Sequence, residues 1–267
     1  MGIYGQRNVT LPVKLAVGFA LGALLLPVAA RTPRADSASP CQKTRLFRSR
    51  GVTVWTSPHD SHAIFYKSGF AVDADGAFEA YHPKSAFGLD ALAHAGHRGD
   101  WWALVTTNGK RTGRPVIQSQ FDPAPGYFVS TTALFDPDNP NIRDPHRYVD
   151  AAKIPYIVLH PWALKLAHLG DFATVVNLRN GKTASALVAD KSSLHPRVGE
   201  GSIALAEELG INSDPRFGGQ PGDVVYLIYS GSGNGRPRDL DDITTNAKLL
   251  LEAWGGVEKL TACVASK

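Results

Sequence analysis

Ala173-Thr-Val-Val-Asn-Leu178 and Ala184-Ser-Ala-Leu-Val-Ala-Asp190 are two apolar runs joined across Arg179-Asn180-Gly181-Lys-Thr183. Asn-Gly supplies the two positive-φ residues of a type I′ turn, whose twist matches paired strands, so the stretch reads as a β-hairpin. Working outward, short apolar runs of the same kind recur at 52–55, 63–66, 70–72, 101–106, 116–118, 127–131, 156–159 and 224–229. They are rich in β-branched and aromatic residues and are bounded by turn residues, which predicts strands. Several do not alternate cleanly, as expected where both faces are buried. Helical pattern is scarce: 202–209 stopped by Gly210, 242–254 stopped by Gly255-Gly256, a last turn over 257–264, and a short piece at 89–95. The expectation is a mainly β chain forming a single β-barrel-like domain, the double-psi type being one form of it, with a few peripheral helices.

The chain has 267 residues, 43% of them hydrophobic, enough for a sizeable core. Arg7 and Lys14 flank an apolar run, 15–30, that ends in Val28-Ala29-Ala30, and this reads as an export signal over 1–30. A membrane anchor is the alternative; Gly18, Gly22, Pro27 and the short run weigh against it. Residues 31–40 are Pro, Ser, Ala and charge, a linker, and the folded domain is expected over 41–267. The net charge of +4 falls to +1 without residues 1–38, and no Lys/Arg run remains. Nucleic-acid binding therefore has no support, and no membrane contact is expected once the signal is cleaved.

The two cysteines, Cys41 and Cys263, bracket this domain. In an oxidising compartment they suit a disulfide clasp joining the termini; two buried free thiols are the alternative. No Cys/His set has zinc-type spacing, so no metal is expected.

Asp190 ends its apolar run, and after nine intervening residues Glu200 stands between Gly199 and Gly201 at the mouth of a helix. Two acids on either side of a short loop are what glycosidic cleavage needs. Burial at a strand end would raise the Asp190 pKa and suit an acid, whereas a helix N-terminus would favour ionised Glu200 and suit a base. The competing interpretation is a turn and a helix cap. Asp73-Ala-Asp75-Gly76 lacks the later ligands of a calcium loop and reads as a tight turn whose Asp73 can face a cleft. Gly170-Asp171 is turn-like. In Trp101-Trp102 alternation lets only one ring face a cleft, and Trp101 is the candidate sugar-stacking face. There is no G-x-S-x-G or H-E-x-x-H, Ser230-Gly-Ser-Gly-Asn-Gly235 lacks the phosphate-loop Lys, and His94 and His97 have no further clustered ligands.

From about Ala71 to Tyr229 the chain resembles the fungal-type chitosanases, glycoside hydrolase family 75. The most specific piece is the aliphatic strand ending in Asp190, a Pro-containing loop, then Gly199-Glu200-Gly201-Ser202-Ile203 leading into an Ala-rich helix. The Asp73-Ala-Asp75-Gly76 turn and the Gly-Asp pair before a Val-rich strand also match. The resemblance implies a secreted, endo-acting chitosanase that works with inversion, without a cofactor, with Asp190 and Glu200 as its catalytic pair. By analogy it makes Glu200 the acid and Asp190 the base; the helix-end consideration points the other way, and the roles stay open. The partner implied is chitosan or a related polysaccharide, met by a monomer. A polycationic substrate asks for an acidic cleft, for which Asp73, Asp75, Asp171, Asp122 and the 136–144 loop are the available carboxyls. Two other functions fit the same residues: an exported hydrolase of another polysaccharide such as peptidoglycan, and a non-catalytic carbohydrate-binding wall module.

Overall fold

The computed structural model describes residues 41–57, 63–192 and 197–266. The expected export signal and linker lie outside the described residues. In chain order the strands are β1 (Thr44–Ser49), β2 (Val52–Thr56), β3 (Ala63–Asp73), β4 (Gly96–His97), β5 (Asp100–Trp101), β6 (Tyr156–Leu159), β7 (Phe172–Asn177), β8 (Thr183–Lys191), β9 (Glu200–Ser202) and β10 (Gln220–Tyr229). The α-helices are α1 (Ile203–Glu208), α2 (Leu240–Trp254) and α3 (Gly256–Ala265).

The Asn180-Gly181 hairpin forms: β7 and β8 pair antiparallel from Phe172–Leu187 to Val176–Thr183. Strands β3, β10, β7, β8, β6 and β9 hydrogen-bond in that order, and β9 pairs back onto β3. This closes a six-stranded mixed barrel, in which β3–β9 and β6–β8 are the parallel pairs. The chain is therefore mainly β, as expected, with few helices. Among the described residues no helix is long and apolar enough to cross a membrane.

Closure gives each strand an inner and an outer face, to which alternate residues point. Ile64, Tyr66, Ile157, Val175, Val188 and Tyr226 form the inner core with Leu205 and Ala206 of α1 and Leu209 just after it. Phe65, Val158, Val176, Leu187 and Leu227 belong to a second cluster that includes Ile243, Ala247 and Trp254 of α2 and Leu260 of α3. α2 and α3 pack on this second cluster, so it is the outer face. The long excursion between β3 and β6 lies on the same face, through Tyr81, Ala103, Leu104, Phe128 and Leu134.

Within that excursion the runs 101–106, 116–118 and 127–131 pair mainly through single bridges, Leu104–Ser130, Thr106–Pro115 and Ile117–Phe128. Turns and prolines 115, 123 and 125 cut the ladders short, because proline cannot donate to them. β1 escapes the sequence pattern, since Arg45 and Arg48 hide its alternation. It folds back on β2 through Arg50 and Gly51, both at positive φ. α2 starts at Asp239, whose side chain accepts the Asp242 N–H at 2.8 Å, and stops at left-handed Gly255.

Cys41 and Cys263 form the disulfide, with Cα atoms 5.1 Å apart across 222 positions of sequence. Lys43 Nζ adds a hydrogen bond to the Cys263 carbonyl at 2.8 Å, so the start of the domain is tied to α3 twice. Closing so long a loop stabilises by up to about 5 kcal/mol in the chain-entropy model. Replacing both cysteines with serine should lower unfolding stability by about 2–5 kcal/mol in urea titrations while the far-ultraviolet dichroism keeps its strand signature. An unchanged midpoint would contradict the clasp.

Candidate active site

Three adjacent strands bring the two candidate acids into one row. Val158 on β6 pairs with Asp190 on β8. On its other side β6 pairs antiparallel with β9 through Ile157 and Gly201, which puts Glu200 next in line with Val158. The row Asp190–Val158–Glu200 crosses two strand spacings, so the two acid backbones stand about 10 Å apart. All three residues line one cleft of about 780 Å³.

Simple alternation would turn Asp190 inward, because Ala184, Ala186 and Val188 all face the inner core. A register shift prevents this: Ile157 pairs with Val188, but Val158 pairs with Asp190, leaving Ala189 as the extra residue. Such a bulge re-aims the following side chain. Asp190 therefore shares the outer face with Val158, where Asp73 and Asp75 also arrive from the end of β3.

The carboxylate oxygens of Asp73, Asp75 and Asp190 lie within 4.8 Å of one another. Asp190 Oδ1 accepts the N–H groups of Lys191 at 2.8 Å and Ala133 at 3.0 Å. Its Oδ2 takes no hydrogen bond from the described residues. The Tyr81 hydroxyl donates to Asp75 Oδ1 at 2.7 Å, and the Tyr156 hydroxyl lies 3.0 Å from Asp73 Oδ2. Among the described residues these three acids are the group that can hold a metal ion; the same packing equally serves to retain protons. Burial, then the charges of Asp190 and Glu200, push Asp73 well above the usual carboxylate range. Burial, then Asp73 and Asp190, do the same to Asp75. Burial pushes Asp190 up to about 7, aided by the Glu200 charge and opposed by the two N–H groups.

Glu200 differs from its expected setting. It is a strand residue of β9, not the mouth of a helix; Ser202 is the N-cap of α1 and accepts the Leu205 N–H at 3.1 Å. Burial raises its pKa and outweighs the opposing Arg197 charge and the Ser192 Oγ–H, which lies 3.2 Å from Oε2. The flanking glycines are required by close approach. A Cβ on Gly199, at φ 96°, would sit 2.3 Å from the Gly69 carbonyl oxygen, and one on Gly201 would sit 2.8 Å from that of Tyr156. Side chains at either position would push β9 out of the barrel.

The loop wall of the cleft was not legible as a site. Asp90 and His94 hydrogen-bond there, His94 Nδ1 lying 2.8 Å from Asp90 Oδ1. Arg216 lines the mouth and donates to the carbonyls of Ser85, Gly88, Leu89 and Asp90, joining two loops. Of the expected binding residues, Asp73 and Asp75 reach the cleft; Asp171 and Trp101 do not. Asp171 is buried and accepts the N–H groups of His168, Gly231 and Gly233, so it fastens the 231–235 loop to β7 instead. Trp102 takes the place expected of Trp101: both pack against the outer core, but only Trp102 also lines the cleft. Asp122 closes a local turn with Ser119, and Asp138 pairs with Arg236, so neither supplies charge to the cleft.

The chain matches no protein-family model and no curated protein; the resemblance to the chitosanases rests on the residues that carry it.

The buried cluster has a signature in stability. Asp190 holds its proton in the folded state up to about pH 7, whereas an unfolded Asp loses it near 3.9. Between those values the folded state binds more protons, so this contribution is fully present below about pH 4 and is lost as pH rises through about 7. Asp190→Asn should therefore gain stability relative to wild type between pH 4 and pH 8, measured by urea unfolding at each pH. Parallel profiles for the two proteins would contradict the buried, proton-retaining cluster.

Proposed function

We propose that the chain is a secreted glycoside hydrolase that cleaves the β-1,4 glucosamine linkages of chitosan with inversion, using Asp190 and Glu200. The observation that carries this reading is the Asp190–Val158–Glu200 row on one cleft wall. Backbones about 10 Å apart leave the side chains free to bring their carboxyls to the roughly 6.5–9.5 Å of an inverting pair, with room for a water. The cleft also suits a cation. It carries the carboxyl groups of Asp73, Asp75, Asp90, Asp190 and Glu200 against Lys191, Arg197 and Arg216, and the Arg216 guanidinium is already engaged by carbonyls. Trp102 offers a ring to a sugar. The Cys41–Cys263 bond supports an oxidising, extracellular setting.

Electrostatics favour Asp190 as the acid. Burial, aided by the Glu200 charge, holds its proton to about pH 7, and Oδ2 is free to pass it to the glycosidic oxygen as the bond from C1 breaks. Glu200, whose pKa burial raises against the opposing Arg197 charge, takes a proton from the water that attacks C1 on the opposite face. Asp190 has then lost one proton and Glu200 gained one, and exchange with solvent restores both. These roles are the reverse of those the family resemblance implies.

Asp190→Asn and Glu200→Gln should each lower reducing-end release from chitosan by about 10³-fold with unchanged circular dichroism. Azide should restore turnover to Glu200→Ala, where it replaces the activated water, and not to Asp190→Ala. Near wild-type release by either amide variant would remove the pair from catalysis. Wild-type binding of chitosan without release would make the chain a carbohydrate-binding module.

A further inference from the structure

The Asp90–His94 pair takes no part in that chemistry, yet it is built as a site. Asp90 is 4% exposed, and its carboxylate meets His94 Nδ1 with both oxygens, at 2.8 and 2.9 Å. The Ala91 N–H, 2.6 Å from Oδ1, fixes the carboxylate in turn. The Trp102 indole N–H donates to the His94 carbonyl at 2.7 Å, so backbone and ring are both held. The His94 side chain is 58% exposed and lines the same cleft as Asp190 and Glu200. Nδ1–H points at a carboxylate, which leaves Nε2 of the neutral ring as an acceptor. Nε2 has no partner among the described residues.

We propose that His94, oriented by Asp90, recognises the protonated amino group of a glucosamine unit in a subsite flanking the cleaved bond. The inference rests on the chitosan reading above. An ammonium is a charged donor that suits a neutral imidazole acceptor backed by a buried carboxylate. An N-acetyl group removes that charge and adds bulk, so the pair discriminates between the two sugars. The charged and titratable groups around it are Arg216, held by the loop carbonyls; Arg111 and His97, on the Trp102 ring at 5.7 and 6.1 Å; and Glu200 across the cleft.

Binding to Glu200→Gln protein tests this without turnover. Glucosamine hexasaccharide and N-acetylglucosamine hexasaccharide would be titrated calorimetrically at one and the same pH. Adding His94→Leu should weaken the glucosamine oligomer about tenfold, the loss of about one charge-assisted hydrogen bond, and leave the acetylated oligomer unchanged. Adding His94→Gln retains an uncharged acceptor and should keep the affinity for the glucosamine oligomer. Equal effects on both oligomers, no effect on either, or no binding of the glucosamine oligomer would overturn the proposal. Absence of reducing-end release by the wild type would instead defeat the hydrolase reading, since selectivity of binding is read independently of turnover.

Discussion

The barrel closes through three residues. β9 inserts between β3 and β6, pairing Ala71 with Glu200, Val72 with Gly201 and Asp73 with Ser202, and meeting β6 at Ile157–Gly201. Without this short parallel contact there is no closed barrel, no row from Asp190 to Glu200, and no reason for Asp73 to lie beside either. The Ser202 side chain shows how tightly the closure is made. Its hydroxyl accepts the N–H groups of Tyr156 and Leu205 and donates to the Ile154 carbonyl at 2.8 Å. One fully buried serine thus joins β6, β9 and α1.

Closure carries an electrostatic cost. Like charges brought together in a buried place cannot all ionise, and desolvation alone already disfavours the charged forms of Asp73, Asp75, Asp190 and Glu200. Hydrogen bonds from Tyr81, Tyr156 and two backbone N–H groups offset part of this by fixing the oxygens. The rest persists as raised proton affinity. A site that resists ionisation at neutral pH is poorly suited to stabilising the fold and well suited to delivering a proton. The outer face makes this tolerable, because the loops above it leave a cleft open to water and ligand.

Local signals in the sequence anticipated much of this, and the non-local ones did not. Asn180-Gly181, the β3 and β10 runs and the α2 stop at Gly255 are visible because turn chemistry and periodicity act within a few residues. Asp190 and Glu200 stand out as acids, and Asp73 and Asp75 as a turn, but their meeting depends on pairing between segments far apart in the chain. The bulge at Ala189 reverses the direction that alternation assigns to Asp190, and nothing in Val188-Ala189-Asp190 announces it. β9 is too short, and too rich in glycine, to read as a strand, so Glu200 looks like a helix-mouth residue. Trp101 and Trp102 differ by a single step of alternation, which composition cannot resolve. Asp171 follows a glycine at a turn as a cleft residue would, and only the 231–235 loop folding over it shows what it holds. Asp90 and His94 are four apart, a spacing that was available in the sequence but is not diagnostic in a chain segment with little regular helix.

The claim at the centre of this account is that Asp190 and Glu200 act from opposite faces of one glycosidic bond, with water between them. Proton nuclear magnetic resonance of a glucosamine oligosaccharide during the first minutes of turnover reads this directly, through the anomeric signal of the new reducing end. With inversion the α-anomer appears first and relaxes to the equilibrium mixture afterwards. A β-anomer formed first would mean retention through a covalent intermediate and would contradict it.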